Sequence, residues 1–314
     1  MGTYILRRLL TLIPVLLLVS IMTFMLVHLT PGDPIASLLG DDATVEEINA
    51  VRERMGLNEP LYEQYFSWLF NVVQGDLGQS LFANEPVAGM IFARAEPTLL
   101  LTFMALLFTL VIGLPAGVFS AIKHNGAVDQ TLMVVALLGV SMPNFWLGLN
   151  LILLFSVYLG WFPVGGYTPI GESFFGAIES LILPAFALGF SQAALVARIT
   201  RSSMLEVLRN DYVRTARAKG LGNRVVYYRH ALKNALLPTV TVIGVVVAVL
   251  IGGAVVTETV FTLPGAGRLV VNSVLRRDYP VVQGAILIVA FLYVLINLLV
   301  DILYVYIDPR VKYT

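Results

Sequence analysis

The side chains of this 314-residue chain that could ligate a metal, attack a substrate or shuttle a proton are spaced so that they assemble no site. The three histidines, His28, His124 and His230, lie far apart, and no His-Glu-x-x-His run is present. There is no cysteine, so disulfides and thiolate metal sites are excluded together. A Gly-x-x-x-x-Gly-Lys-Ser/Thr loop is absent, and ATP cannot be held by that device. The adjacent Asp41 and Asp42 lack the spacing of a calcium loop and read as a solvated acidic face. An intramembrane hydrolase needs a nucleophile and a base at membrane depth. The apolar runs supply no such pair, and no catalytic, cofactor-binding or metal-ligating residue is expected.

What polar chemistry remains sits inside apolar runs. Asn144, Asn150, Ser191, Gln192 and Asn297 must face a cavity or a neighbouring helix rather than lipid. The elements that carry them are membrane spans. With 58% hydrophobic and 13% charged residues and a mean hydropathy of +0.83, the chain has too little polar surface for a water-soluble globule. The first apolar run, 9–29, follows Arg7 and Arg8. It is too long for a secretory signal, and no small-x-small cleavage site precedes Pro31-Gly32-Asp33-Pro34, so an uncleaved span within 1–30 is expected. Five more spans are expected at 97–122, 130–159, 180–197, 239–257 and 281–300, making an all-α polytopic protein of six transmembrane helices.

Between the first two spans, 31–96 carries eleven acids against three arginines. Thr44 and Glu47 form a capping-box pattern, predicting a helix to about Met55. Leu61, Tyr65, Trp68, Leu69 and Val72 share one face of a second helix over 60–73, whose apolar stripe must be buried on the spans or at the membrane surface. Fourteen of the twenty Lys and Arg residues fall on one side of this arrangement, which places both termini inside and 31–96 outside.

The most polar stretch between spans is 198–238, with nine Lys and Arg residues against Glu206 and Asp211. Ser202 or Ser203 caps a helix in which Met204, Leu205, Leu208, Tyr212 and Ala216 recur at helical spacing. Gly220 and Gly222 stop it. Asn223 caps a second short helix that ends or bends near Pro238. As a basic loop beside a membrane, the stretch fixes topology from the cytoplasmic side and attracts anionic lipid.

The run Thr215-Ala216-Arg217-Ala218-Lys219-Gly220-Leu221, followed by HALKNALLP over 230–238, resembles the cytoplasmic EAA loop of permease subunits of binding-protein-dependent ABC importers. Arg214-Thr215-Ala216 stands where the general pattern has Glu-Ala-Ala, only Ala216 matches, and Leu237-Pro238 arrives late. In this the segment is similar to the dipeptide, oligopeptide and nickel branch. Pro31-Gly32-Asp33-Pro34, Gly75-Asp76-Leu77-Gly78, ETVFTLPGAGRL over 258–269 and RRDYPVVQG over 276–284 resemble the same branch.

The resemblance implies a type I importer permease fold with a first span (1–30), a partly helical periplasmic segment (31–96) and a permease core (97–314). It implies that 215–221, within the coupling segment 198–238, docks on an ATPase. Pro264 and Gly265 would help close the outer mouth, and Asn144, Asn150, Gln192 and Asn297 are the pathway candidates. The implied setting is the bacterial inner membrane with both termini cytoplasmic. The implied partners are a second homologous permease, two cytoplasmic ABC ATPase subunits and an extracytoplasmic binding protein, with no nucleic acid. Di- and oligopeptides are the implied cargo, with glutathione, an opine or a nickel complex as alternatives. The competing class is an ion-coupled carrier, which would need an ionisable group at membrane depth. Asp301 is the only carboxylate close to such a position.

Overall fold

The computed structural model describes residues 2–29, 44, 46, 52–53 and 58–307, with side chains from 10 to 299. The described residues are helices joined by turns, and the only β feature among them is an isolated bridge between Gln79 and Pro86. The chain divides into two compact units. One comprises Met1–Ala95 with Arg268–Leu295, and the other Glu96–Gly267 with Ile296–Thr314.

The first unit contains α1 (Gly2–Leu29), α2 (Leu61–Val73), α3 (Val87–Phe92) and parts of α10 (Ala266–Arg276) and α11 (Tyr279–Ile307). The 20 residues Leu10–Leu29 of α1 are long and apolar enough to cross a bilayer. Helix α2 starts after Pro60, whose fixed φ (−55°) suits the entry to a helix. As its spacing predicts, Tyr65 and Trp68 turn toward α1 and pack on Phe24, with ring centroids 5.4 and 5.7 Å apart. The buried Asp278 carboxylate accepts from Ser80 Oγ at 2.5 Å and from the Leu81 N–H at 3.2 Å, tying the chain before α11 to the turn before α3. The capping-box helix expected from Thr44 lies for the most part outside the described residues.

The second unit is built on α7 (Phe174–Val207), against which α5 (Ala127–Ser141), α6 (Asn144–Tyr158) and α9 (Asn223–Val260) pack, with α4 (Ala95–Ile122) alongside and α8 (Asp211–Ala218) beyond its end. Leu101, Leu181, Leu188, Leu250 and Phe261 fill its core. Helices α4 and α7 approach backbone to backbone. A Cβ on Gly113 would stand 2.7 Å from the Ala193 carbonyl oxygen, and one on Gly117 2.6 Å from Thr200 Cβ. Thr109 Oγ1 donates to the Gly189 carbonyl across the same seam at 3.1 Å. This is the small-residue packing that membrane helices use when lipid offers no hydrophobic contrast.

Four expectations about these elements need correction. The third span is a pair of helices, α5 and α6, bent by 104°. Pro143 is the cause, because its ring holds Met142 extended (φ −83°, ψ 128°) and ends α5. With that pair taken as one broken span, the described helices give six candidate crossings. Ser202 and Ser203 cap nothing, since α7 runs through them to Val207, and the single helix expected to carry Met204 through Ala216 is broken at 208–210, with α8 starting afresh at Asp211. Met204 is fully buried against Val118, Ala121, Ala231 and Ala235, which extends the packed face past the serines. Pro238 neither ends nor bends α9 out of helix, which continues from Asn223 to Val260. A proline costs about 3 kcal/mol inside a soluble helix, but membrane helices tolerate it because neighbouring elements re-satisfy the freed backbone groups, and here Ala235 and Thr239 beside it are buried. Gly222 (φ −62°, ψ 146°), not Asn223, occupies the cap position of α9.

Candidate functional site

The basic segment folds into a short helix held at both ends. Helix α7 ends at Val207 with Leu208 as its C-cap, and α8 begins at Asp211 after a turn in which the Asn210 carbonyl accepts from the Val213 and Arg214 N–H groups. An acid in that first turn suits the helix dipole. The α8 face carrying Val213 and Ala216 is buried against Val226, with Leu208 and Tyr227 packed around it. Arg217 lies over the Tyr227 ring at 5.9 Å. Tyr212 Oη accepts from Asn234 Nδ2 at 2.8 Å, fastening α8 to α9 a second time.

The C-terminus of α8 closes as a Schellman turn. The Leu221 N–H donates to the Ala216 carbonyl (3.3 Å) and the Gly220 N–H to the Arg217 carbonyl (2.9 Å). Gly220 sits at φ +81°, the left-handed position that glycine takes at least cost. Thr215, Arg217, Ala218, Lys219, Gly220 and Leu221 are exposed around this turn, while Ala216 is the buried anchor. The seven residues singled out from the sequence are therefore one continuous elbow, with two cations on its outer surface.

At the far end of α9 a second constellation forms. Glu258 is fully buried and accepts from Thr98 Oγ1 at 2.5 Å. The same Thr98 oxygen accepts the Ala266 N–H at 2.9 Å, and the Glu258 backbone carbonyl accepts the Leu263 N–H at 2.8 Å. Gly265 lies directly on the carboxylate, so a Cβ there would overlap its atoms. Pro264 is exposed beside it. Nearby, Tyr167 Oη donates to Glu96 Oε1 at 2.5 Å, and burial with that carboxylate pushes the Tyr167 hydroxyl above its usual range. A cavity of about 440 Å³ opens there, lined by Trp161, Phe162, Tyr167, Thr168, Glu179 and Ser180 among others.

Residues 113–313 match the family model described as "Binding-protein-dependent transport system inner membrane component", and residues 1–114 match "Binding-prot-dependent transport system membrane comp, N-term". The chain belongs to the binding-protein-dependent transport system inner membrane component family. It is 47% identical over 333 residues to the dipeptide transport system permease protein of Alkalihalophilus pseudofirmus, with all of both chains covered. It is 44% identical over 316 residues to the oligopeptide transport system permease protein of Bacillus subtilis, and 44% identical over 313 residues to the glutathione transport system permease protein of Escherichia coli, again with full coverage. The fold is similar to that of the MetNI methionine ABC transporter in an inward-facing conformation, with a TM-score of 0.58 at 20% identity, over 69% of this chain and 96% of that one. The protein is thus a multi-pass ABC importer permease, a transport component and not itself an enzyme.

In this permease the sequence pointed to the elbow and passed over two buried carboxylates. Asp129, read only as part of a short turn, is 3% exposed. It accepts from Arg201, Ser120 Oγ and the Asn125 N–H, with His124 Nδ1 3.2 Å away. Arg201 comes from the basic segment, whose high charge hid its one buried partner. Glu258 was likewise passed over as part of an outer loop. Its signal was a lone acid, flanked by Thr257 and Thr259 at the end of an apolar run, seven positions before the glycine that touches it.

The pathway candidates are scattered. Asn144 opens α6 after Pro143, half-buried. Asn150 is exposed and donates to the Trp146 carbonyl of its own helix at 2.7 Å. Gln192 Nε2 lies 3.4 Å from Ser191 Oγ, and Asn297 is half-buried on α11.

Proposed function

We propose that this permease forms half of a peptide path in an ATP-driven importer, with the elbow at 215–221 as the contact through which ATPase closure moves the spans. The observation that carries the reading is how the elbow is built. An exposed basic turn on a short helix, packed at Val213 and Ala216 and hydrogen-bonded through Tyr212 to α9, passes a push to a membrane helix with little give. Rigid-body rocking of packed helices is the expected consequence. Two ATPase subunits, a second permease of the same kind and an extracytoplasmic binding protein complete the proposed assembly. The basic segment and both termini lie on the cytoplasmic side of a bacterial inner membrane, following the bias of positive charge.

The names of relatives across the full length support peptide cargo, with glutathione as the alternative. Pro264, Gly265, Asn144, Asn150, Gln192 and Asn297 are proposed as gate or pathway positions. The test is uptake by the assembled system in proteoliposomes, with labelled di- and oligopeptides competing against glutathione. Uptake should need ATP and an active ATPase and persist when the proton gradient is collapsed. Uptake that dies with the gradient, or with Asp301→Asn, and ignores the ATPase would make the protein an ion-coupled carrier.

A further inference from the structure

Helix α2 presents three faces. At about 100° per residue, Tyr65, Trp68, Leu69 and Val72 share one arc, half-buried toward α1. Glu63, Ser67 and Asn71 lie on a polar arc. Between them runs a third arc, Tyr62, Phe66, Phe70 and Val73, apolar and 63%, 64%, 68% and 78% exposed. The apolar surface of α2 is thus about twice as wide as its seat on α1 requires.

The contacts with α1 fix the depth of α2 against the membrane. The apolar segment Leu10–Leu29 has 20 residues, about 30 Å at 1.5 Å per residue and so about the hydrocarbon thickness. Ser20 falls near its middle, and Ser20 Oγ and Tyr65 Oη are 2.8 Å apart. Phe24, which touches both Tyr65 and Trp68, lies about 7 Å inside the end of the segment. His28, at that end, reaches Gln64 at 3.2 Å. The body of α2 therefore sits about 5–10 Å within the apolar slab, the depth at which amphipathic helices lie in a membrane interface.

We infer that α2 is an interfacial membrane helix, with Phe66 and Phe70 anchored among lipid acyl chains in the leaflet that holds the C-terminal end of α1. A water-soluble partner would meet α2 beyond the end of the span, not at the level of Phe24. The polar arc carries Glu63 and no Lys or Arg, so the attraction is to hydrocarbon and not to anionic headgroups. The connecting segment of this permease is in this respect part of its membrane body.

The chain has no cysteine, which makes spin labelling direct. Phe66→Cys, Phe70→Cys, Ser67→Cys and Asn71→Cys are labelled singly in the full chain, in bilayers of phosphatidylcholine. Labels at 66 and 70 should collide severalfold more with oxygen than with an aqueous nickel chelate, and labels at 67 and 71 the reverse. The ratios should hold when phosphatidylglycerol is added. Nickel-dominated collisions at 66 and 70 would put the helix in water and overturn the inference. Low collision with both reagents would mean protein cover and overturn it equally. Should labels disturb α2, Phe66→Trp in a background of Trp68→Phe, Trp146→Phe and Trp161→Phe keeps an aromatic ring in place. Acyl-brominated lipid should quench its fluorescence severalfold, and unquenched emission would sink the idea.

Discussion

Arg201 grips Asp129 with two prongs, Nε to Oδ1 at 2.7 Å and Nη2 to Oδ2 at 2.8 Å, joining α7 to the first turn of α5 across 72 residues of chain. The Asp129 side chain is 4% exposed and that of Arg201 24%. Removing one partner of a buried pair strands the other charge, at about 3–5 kcal/mol, whereas replacing both is far cheaper. Arg201→Met should therefore lower the thermal midpoint of the purified permease markedly. Asp129→Asn combined with Arg201→Met should recover much of that loss. Equal damage in the single and double variants would show that the pair is not a coupled unit.

Gly265 and Glu258 compete for one volume. Gly265→Ala should stall transport and destabilise the protein by about 1–3 kcal/mol through overpacking. Glu258→Ala empties the space, so the double variant Gly265→Ala with Glu258→Ala should be more stable than Glu258→Ala by itself. The measurement is a double-mutant cycle of thermal melts, with uptake alongside; purely additive effects would contradict the contact.

Gly220 has no atoms close to where a side chain would go, so within the chain a substitution there is limited by backbone conformation and not by space. A β-branched residue at positive φ costs about 1–2 kcal/mol, and asparagine much less. Gly220→Val should leave insertion intact but reduce substrate-stimulated ATPase activity and ATPase co-purification. Gly220→Asn should retain most of both. Normal coupling in Gly220→Val would remove the turn from the mechanism. Gly220→Trp combines strain with bulk on the docking surface and should uncouple more fully.

The proposed orientation is open to chemical labelling. Gly222→Cys should resist a membrane-impermeant maleimide in intact spheroplasts, whereas Asp42→Cys and Gly171→Cys should react. Reaction at 222 without permeabilisation would invert the arrangement and place the elbow where no ATPase can reach it.

Much of this architecture is legible in the chain because lipid imposes simple rules. Runs without charge became helices, and Gly220 turned where a left-handed residue was needed. The departures occur where tertiary contacts outvote local signals. Ser202 and Ser203 look like caps, yet burial of Met204 carries α7 past them. Pro238 looks like a stop, yet α9 runs through it, with Ala235 and Thr239 buried beside it. Asp129 and Glu258 were missed for a related reason. A buried carboxylate is defined by its partners, Arg201 and Thr98, which lie 72 and 160 positions away and leave no local periodicity to read.

Helices α6 and α9 each contain a stretch with wider, π-type turns, Ile152–Tyr158 and Val226–Ala231. A π-bulge is geometrically what remains when one residue is inserted into an α-helix without rotating the helix beyond it. Chain length and facing are thus uncoupled at these two places. A natural relative could lose a residue between 226 and 231, tighten to ordinary α turns, and still present the positions of Ala235, Thr239 and Val246 to the same neighbours. Alignments that penalise such a gap inside a helix would misregister the elbow by one residue, while its wiring to the membrane stayed unchanged.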